Sequence, residues 1–316
     1  MSGKYASILI DGNNMFYKSY KKLYHLTTTV DGQKIITGGI YGFIKSLLRL
    51  KREFLSEGGR FYILFDNCNS KDHQRKEVDP DYKIGRSHER SFYKSLELLQ
   101  YVLMHYSDDI TMIYRSNYEA DDFVKPLLLD IPKTQNVLLV SEDRDWARMI
   151  EFEGRVIHWY AKRRVYDRAQ YFLEFGYKPS EQTVVMEKTI RGDKSDNIPA
   201  GVPNIKGKTV IQLINQFDNV YDMVQEVDNC DYVSELMKDR IKENEARLRL
   251  NFQLVSFAGV SHEEMNSFTY QCRFDPKTLN IAYKSMGFDT SFDPRMKRFE
   301  KKKRKGFYQA PKLRRY

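Results

Sequence analysis

Three short apolar runs in the sequence predict buried β-strands. Residues 6–10 read ASILI, residues 61–65 read FYILF and residues 137–140 read VLLV, and polar residues follow each run. Continuous runs of this length are typical of strands that a parallel sheet buries on both faces. Residues 40–54, between the first two runs, have the apolar spacing of an amphipathic helix. Strands that alternate with helices predict an α/β fold with a parallel sheet.

The second half of the chain has a different pattern. Residues 155–165 (RVIHWYAKRRV) predict a strand and a turn, with Lys162, Arg163 and Arg164 at the tip of the turn. Beyond residue 180 the apolar positions follow a helical spacing to about residue 256. This change predicts a helical region behind the sheet-containing core.

Charge separates the end of the chain from the rest. The net charge is +9, but the stretch from Arg295 to the end holds eleven Lys and Arg residues and one acid, which gives +10 and leaves −1 for the other 294 residues. That stretch has too few apolar residues to pack, so disorder is expected there. We therefore predict a sheet-containing core at 1–185, a helical region at 186–290 and a basic, disordered tail at 291–316. The tail alone could supply nonspecific affinity for phosphates.

Composition excludes several classes of protein. The 316 residues are 41% hydrophobic and 14% aromatic, which is enough for a packed core. No apolar run approaches the roughly 20 residues of a membrane span, and the first residues lack the apolar stretch typical of a signal peptide. The three cysteines (Cys68, Cys230 and Cys272) are scattered and odd in number, which indicates reduced thiols and argues against a zinc site. A cytoplasmic location is expected.

Carboxylates follow each predicted strand. Asp11 follows the first run, Asp66 the second, and Asp143 and Asp145 the third. The binding crevice of an open α/β sheet lies outside the carboxyl ends of its strands. A single aspartate at such a place is usually a turn former or a helix cap. Its repetition at three strands predicts a functional site.

Two further acidic groups are expected at the same edge. Glu119, Asp121 and Asp122 precede an apolar segment that predicts a helix, and Asp193 and Asp196 are spaced to share one helical face. Acids at a helix start can simply complement its dipole, and the last pair could be solvated surface acids. So many carboxylates together would repel one another unless cations neutralised them. Hard divalent cations, which prefer oxygen ligands, are the economical explanation, and we predict two Mg²⁺ or Mn²⁺ ions.

A basic stretch and a Gly-rich loop complete the candidate chemistry. Residues 67–94 interleave basic and aromatic side chains, which indicates either a solvated loop or a mobile element that gathers phosphates. Gly207, Lys208 and Thr209 open an apolar helix, whose first N–H groups could hold a phosphate. The loop before them differs from a nucleotide-binding P-loop, because five residues separate its glycines and no apolar strand precedes it. A capped helix after a turn is the plain alternative.

Taken in order, these motifs resemble the flap endonuclease or 5′-nuclease family, in its bacteriophage and bacterial branch. The resemblance covers roughly the first 215 positions, and the size of the chain looks like that of a free-standing phage enzyme. It implies a PIN-like α/β nuclease core, a helical arch at about 67–100, and a helix-3-turn-helix motif in the helical region. The motifs that carry it are Ile10-Asp11-Gly12-Asn13, Leu64-Phe65-Asp66, Tyr82-Lys83 with Arg86, Glu119-Ala120-Asp121-Asp122, Ser141 with Asp143 and Asp145, and Gly192-Asp193 with Ser195-Asp196-Asn197-Ile198-Pro199.

The family resemblance also implies roles for single residues. Lys83 and Arg86 would contact the scissile phosphate. The first metal would be held by Asp11, Asp66, Glu119, Asp121 and Asp122, and the second by Asp143, Asp145, Asp193 and Asp196. DNA would be bound by Arg75, Lys76, Tyr82, Asn204, Lys206, Gly207, Lys208 and Thr209.

The loop at 201–209 departs from the family pattern. The family resemblance implies a K⁺ ion there, but Asn204 and Lys206 stand where the usual pattern has glycines. Asparagine tolerates left-handed backbone angles, so Asn204 can keep the turn. The departure puts the K⁺ site in doubt more than the binding of DNA.

The implied function is that of a 5′-3′ exonuclease and flap endonuclease. It would hydrolyse phosphodiesters of 5′ flaps, recessed 5′ ends and RNA primers in RNA–DNA hybrids during replication, by two-metal catalysis. The expected state is a monomer, with a single-stranded-DNA-binding protein or a sliding clamp as candidate protein partners. A PIN-like ribonuclease and a noncatalytic DNA-binding protein are the alternatives.

Overall fold

The structure contains a seven-stranded sheet and a separate two-stranded sheet. The computed structural model describes residues 4–30, 32–66, 74–85, 89–114 and 118–304. The α/β fold predicted from the alternation of strands and helices is confirmed. The strands are β1 (Tyr5–Asp11), β2 (Thr27–Val30), β3 (Gln33–Ile36), β4 (Leu55–Phe65), β5 (Ile110–Tyr114), β6 (Val137–Val140), β7 (Ile157–Ala161), β8 (Arg164–Tyr166) and β9 (Thr269–Gln271).

Most of the helices lie in the second half of the chain, as its apolar spacing predicted. Short 3₁₀ helices at Ala120–Phe123, Arg144–Met149 and Lys194–Asp196 shape the candidate site. The α-helices in the described residues are α1 (Gly12–Lys22), α2 (Gly38–Glu53), α3 (Gln74–Val78), α4 (Arg90–Met104), α5 (Val124–Asp130), α6 (Arg168–Phe175), α7 (Glu181–Arg191), α8 (Gly207–Gln216), α9 (Val220–Glu226), α10 (Glu235–Glu243), α11 (Glu245–Val255), α12 (His262–Ser267), α13 (Pro276–Ser285) and α14 (Pro294–Arg304).

The three predicted apolar runs become neighbouring strands in the middle of the main sheet. The strand order is β8-β7-β6-β1-β4-β5-β9, and β1 is parallel to both β4 and β6. Ile10 of β1 lies opposite Ile63 of β4 and Val140 of β6. The carboxyl ends of these three strands therefore meet at one edge of the sheet.

Strands β7 and β8 form the hairpin predicted at 155–165. β7 is parallel to β6, and β8 turns back antiparallel to β7. Ala161 lies opposite Arg164, which leaves Lys162 and Arg163 as a two-residue turn. The turn continues past the end of β7, so it lies at the same sheet edge as the carboxyl ends of β1, β4 and β6.

Sequence patterns missed three pieces of strand structure. Strand β5 was not predicted, and it lies between β4 and β9 in the main sheet. Strand β9 was not predicted either. Strands β2 and β3 pair antiparallel in a segment for which the sequence patterns indicated no strand. The β2 segment reads TTTV, in which β-branched residues favour a strand although apolar and polar positions do not alternate.

The chain divides into two compact units. The first contains Met1–Met15, Leu48–His88 and Thr111–Tyr270, and the second contains the remaining segments. This division differs from the predicted boundary at residue 185, because residues 186–270 group with the sheet-forming segments. All the predicted site residues belong to the first unit.

The start of the basic tail is helical. The predicted disorder is wrong for residues 294–304, which form α14. Met296 and Phe299 are buried, and the guanidinium carbon of Arg295 lies 3.7 Å from the centroid of the Tyr106 ring. These contacts give the helix an apolar face that its high charge hides in the sequence. Residues 305–316 lie outside the described residues.

None of the helices in the described part of the chain combines the length and the apolar character that crossing a bilayer requires.

Candidate active site

The aspartates at the ends of the central strands lie at one edge of the sheet. Asp11 is the last residue of β1, and Asp143 follows β6 and caps the 3₁₀ helix Arg144–Met149. The Ser141 hydroxyl donates to Asp11 Oδ2 at 2.7 Å and accepts from the Asp143 N–H at 3.0 Å. Ser141 therefore ties the ends of the two strands together.

Glycine allows the close approach of β1 and β4 at this edge. A Cβ atom on Gly12 would lie 2.5 Å from a ring carbon of Phe65 and 2.9 Å from the carbonyl oxygen of Leu64. Any other residue at this position would force the end of β1 away from β4. Gly12 thus keeps Asp11 close to Asp66, which directly follows β4.

The acids at Glu119 and Asp122 form a capping box around the 3₁₀ helix Ala120–Phe123. The Asp122 carboxylate accepts from the Glu119 N–H at 3.0 Å. The Asp66 carboxylate accepts from the Ala120 N–H at 2.8 Å, which fixes this turn to the end of β4. The acids at a predicted helix start therefore cap that helix, and they also face the strand-end aspartates.

Arg75 neutralises part of this acidic cluster from inside. Its guanidinium lies 3.0 Å from Glu119 and 2.8 Å from Asp122, and it donates to the Ser256 carbonyl at 2.9 Å. Arg75 and Tyr82 are both buried, and the Tyr82 hydroxyl donates to Glu119 at 3.3 Å. Both residues were expected to contact DNA. In this structure their polar groups are bound to carboxylates, so contact with DNA would require these bonds to break.

Lys83 bridges two acidic segments. Its ammonium forms an ion pair with Glu119 and lies 3.8 Å from Asp196, while its backbone N–H donates to the Asp196 carbonyl at 2.9 Å. Burial alone would lower the pKa of Lys83, but the nearby Glu119 and Asp196 carboxylates raise it overall. Its φ of 54° shows that these contacts hold the backbone in the left-handed region.

Lys188 is a functional candidate that the sequence did not reveal. Its ammonium lies 2.6 Å from Asp145, 2.8 Å from Asp193 and 3.8 Å from Asp143. Lys188 lies in the middle of α7, where a charged residue would ordinarily face solvent. The available signal was the Glu187-Lys188 pair inside an otherwise apolar segment, five residues before Asp193.

The carboxylates therefore form two groups, each with its own lysine. The Lys83 group contains Glu119 and Asp196, and the Lys188 group contains Asp143, Asp145 and Asp193. The family resemblance had placed Asp196 with Asp193 at the second metal. In the structure, Lys83 links Asp196 to Glu119 instead.

The pKa values show where negative charge is least compensated. Burial, and then the charge of Asp66, raise the pKa of Asp11 to about 7. Burial and the neighbouring Asp122 and Glu119 raise the pKa of Asp121 well above its ordinary value. These are the acids whose charged forms most need an added cation.

The Lys188 group is better neutralised. Burial would raise the pKa of Asp193, but the Lys188 ammonium and the Ser195 hydroxyl lower it to about 2. Burial opposes ionisation of Asp145 too, but Arg148 and Lys188 lower its pKa overall. In Asp143 the effects of burial and of Asp145 prevail over that of Lys188, and the pKa is raised.

The donor chemistry of the cluster fits a hard divalent cation. As the side chains stand, no three His, Cys, Asp or Glu residues within the described ranges are grouped so as to hold a metal ion. Lysine and arginine side chains lie between the carboxylates instead. The ligand atoms are nevertheless all carboxylate oxygens, and the raised pKa values of Asp11 and Asp121 reflect negative charge that a cation would stabilise.

The loop at 201–209 keeps its predicted form. Helix α8 begins at Gly207, and Asn204 has a φ of 60°, so asparagine supports the left-handed turn. A Cβ atom on Gly207 would lie 2.6 Å from a side-chain nitrogen of Arg191, but that nitrogen is at the end of a flexible side chain that can move aside, so this contact does not require glycine. Lys206 and Lys208 are exposed on either side of it.

The remaining predicted DNA contacts are less defined. Lys76 is half-buried in α3, and Thr209 is half-buried in the first turn of α8. Arg86, expected beside Lys83 at the scissile phosphate, lies outside the described residues.

Comparison with known proteins identifies the family. Residues 6–176 match the family model described as the 5′-3′ exonuclease, N-terminal resolvase-like domain. DNA polymerase I of Bacillus caldotenax is 27% identical over 292 residues, which cover 90% of this chain and 31% of the polymerase. The 5′-3′ exonuclease of Buchnera aphidicola is 27% identical over 224 residues, which cover 70% of this chain and 74% of that protein. The chain thus spans about a third of the polymerase relatives that it matches.

A solved structure shares the fold. The bacteriophage T5 flap endonuclease, in a pseudo-enzyme-product complex with DNA and metal ions, superposes with a TM-score of 0.61 at 18% identity. The match covers 89% of this chain and 99% of that one. Since the family model spans more than half of the sequence, the chain belongs to the 5′-3′ exonuclease family.

Proposed function

We propose that the protein is a metal-dependent 5′ nuclease that acts as a 5′-3′ exonuclease and as a flap endonuclease. Its substrates would be 5′ flaps, recessed 5′ ends and RNA primers in RNA–DNA hybrids during replication. The observation that carries the proposal is the convergence of carboxylates from β1, β4 and β6 at one sheet edge, in a chain of the 5′-3′ exonuclease family.

Two Mg²⁺ or Mn²⁺ ions are the proposed cofactors. The first would be held by Asp11, Asp66, Glu119, Asp121 and Asp122, and the second by Asp143, Asp145, Asp193 and Asp196. When bound, such ions supply an activated water and neutralise charge that grows on a phosphate. The T5 flap endonuclease, whose structure is a complex with DNA and metal ions, supports this proposal.

The lysines have different proposed roles. Lys83, with Arg86, would bind the scissile phosphate, and its positive charge would stabilise the negative charge of the transition state. The Lys83 ammonium would leave the Glu119 and Asp196 carboxylates and bind the phosphate. The Lys83 backbone would stay in place, because its N–H donates to the Asp196 carbonyl. Lys188 would keep Asp145 and Asp193 at a fixed separation.

The loop at 201–209 would bind the backbone of the duplex. Its free N–H groups at the start of α8 and the exposed Lys206 and Lys208 support this role. A K⁺ ion bound there, as the family resemblance implies, and a monomeric enzyme that contacts a single-stranded-DNA-binding protein or a sliding clamp are further parts of the proposal.

The test is cleavage of a 5′-flap DNA duplex with Mg²⁺ and with EDTA. Wild-type protein is expected to cut near the flap junction only with the metal, and Asp193→Ala is expected to abolish cutting. Asp239→Ala, which removes an exposed acid of α10, is the matched control and should cut normally. Cutting in EDTA, or full activity of Asp193→Ala, would contradict the proposal. Cutting of RNA but not of DNA flaps would favour a ribonuclease.

A further inference from the structure

The turn between β7 and β8 has an unfavourable backbone for the residues that form it. Lys162 and Arg163 have φ values of 47° and 65°, so both lie in the left-handed region. Two-residue turns of this kind favour Asn-Gly, because those residues adopt positive φ at little cost. The sequence therefore places two long cationic side chains where the turn itself prefers neither.

Both cations are available to bind a ligand. Lys162 and Arg163 are exposed, and neither forms an ion pair or a hydrogen bond with any other residue that the structure describes. The next basic residue is different, since Arg164 lies 3.9 Å from Glu174. Solubility alone does not explain this placement, because charged residues elsewhere on the surface would give the same solubility without a left-handed backbone.

The turn lies beside the carboxylate cluster. In the register of the sheet, Tyr160 of β7 lies opposite Val140 of β6, and Val140 lies opposite Ile10 of β1. The turn therefore extends past the same sheet edge as Asp11, and lies two strands away from it. Strands are spaced by about 4.8 Å, so the lateral separation is roughly 10 Å, or about three nucleotides at a rise of about 3.4 Å each.

We propose that Lys162 and Arg163 form a clamp for the phosphate backbone of the nucleic acid substrate, about three nucleotides from the scissile bond. The inference rests on the proposed nuclease function, and it assigns to that site a further contact outside the predicted DNA-binding residues. Both side chains are exposed, and a polyanion at this edge would screen their charges from each other. The ligand is a run of consecutive phosphates, not a single anion.

The decisive variant is the double substitution Lys162→Asn and Arg163→Gly. It removes both charges and supplies the residues that the turn prefers, so its Tm should equal or exceed that of the wild type. Its matched control is Lys51→Gln with Arg52→Gln. This control removes the same charge near the end of α2, which leads into the amino end of β4 at the opposite sheet edge.

Binding of a fluorescent 5′-flap duplex is measured in EDTA by anisotropy, between about 50 and 200 mM salt. The turn variant should bind about tenfold more weakly, and the slope of log K against log salt should fall by about 1.8. The control variant should behave like the wild type. An unchanged affinity and slope in the turn variant would overturn the inference.

Neutral methylphosphonate linkages then locate the contact. A neutral linkage two to four nucleotides from the cleavage position should weaken binding by wild-type protein and by the control. It should not weaken binding by the turn variant further. Equal sensitivity of all three proteins would place the contact elsewhere and overturn the inference.

The two experiments distinguish failure of the clamp from failure of the proposed nuclease function. If wild-type protein does not cut flaps but the turn variant still binds DNA more weakly, the clamp stands and the nuclease assignment fails. If wild-type protein cuts flaps and the turn substitution has no effect on binding, the nuclease assignment stands and the clamp fails.

Discussion

Lys83 and Lys188 each bind carboxylates from two segments, but different backbones carry them. Lys83 lies in a short loop after α3, and its φ of 54° depends on a hydrogen bond to Asp196. Lys188 lies in the middle of α7, flanked by buried residues from Val184 to Ile190. The loop lysine can exchange partners at small cost, whereas the helical lysine is fixed by the packing of its helix.

The pKa values of the surrounding acids also differ. Asp145 and Asp193, beside Lys188, have lowered pKa values, whereas Asp143, also beside Lys188, has a raised one, as do Asp11 and Asp121. Lys188, with Arg148, therefore neutralises two of the three carboxylates of its group, and negative charge is unmatched at Asp11, Asp121 and Asp143. The comparison suggests that one lysine serves the reaction and the other serves the architecture of the site.

The largest effect is expected from Lys83→Met, in the rate of reaction. Removal of a positive charge that binds the transition state typically costs about 10²–10³ in rate. Stability should also fall, because Lys83→Met leaves the buried Glu119 carboxylate without its ion-pair partner. The single-turnover rate of flap cleavage and the Tm would be measured together. A large fall in Tm with a normal rate would reverse the assignment of roles to the two lysines.

The next effect is expected from Lys188→Met, in stability. Loss of one partner of a buried ion pair typically costs about 3–5 kcal/mol, because the remaining charges are left uncompensated. Urea unfolding in EDTA would measure the loss, and added Mg²⁺ should restore part of it. Lys242→Met, which breaks an exposed pair with Asp228, should have little effect. If Lys188→Met were as stable as that control, the architectural role would be excluded.

A smaller effect tests how α7 is held. Arg144, between Asp143 and Asp145, forms an ion pair with Glu187 of α7, and the Tyr177 hydroxyl donates to Glu187 at 2.9 Å. A double-mutant cycle of Arg144→Met and Glu187→Gln should give a coupling energy of about 1–3 kcal/mol in urea unfolding. Additive effects would mean that this pair does not fix Lys188 relative to the acids.

The strand-end acids could be predicted from the sequence because the rule behind them is local. Asp11, Asp66 and Asp143 each follow an apolar run, and parallel strands deliver their carboxyl ends to one edge. The α/β class and the β7–β8 hairpin followed from periodicity in the same way. The sequence therefore predicted that the acids lie together, but it did not predict which basic side chains form ion pairs with them.

The partners depend on tertiary packing, which no local pattern records. The apolar neighbours of Lys188 indicate burial but not its partners, and the packing of α7 against Arg144–Met149 brings it to Asp145. Arg75 was expected on an exposed arch, but the structure buries it against Glu119 and Asp122. In α14, two apolar side chains suffice to pack a segment whose composition indicates disorder.

The smallest expected effect is on the pH dependence of stability, and it comes from Asp11. Asp11 accepts from Ser141, which in turn accepts from Asp143, and the charge of Asp66 helps to raise the pKa of Asp11 to about 7. An acid with a higher pKa in the folded state takes up a proton on folding. Its contribution to stability is complete below the unfolded pKa of about 4 and is lost as the pH rises through about 7.

Wild-type protein in EDTA should therefore gain stability as the pH falls from about 8 to about 6, by at most about 1.4 kcal/mol per pH unit. Asp11→Asn, which resembles the protonated acid, should flatten this dependence and should be the more stable protein at about pH 8. Thermal unfolding across the pH series measures both quantities. An equal slope in the two proteins would mean that the unmatched charge lies elsewhere, and the contrast between the Lys83 side and the Lys188 side would then lose its electrostatic basis.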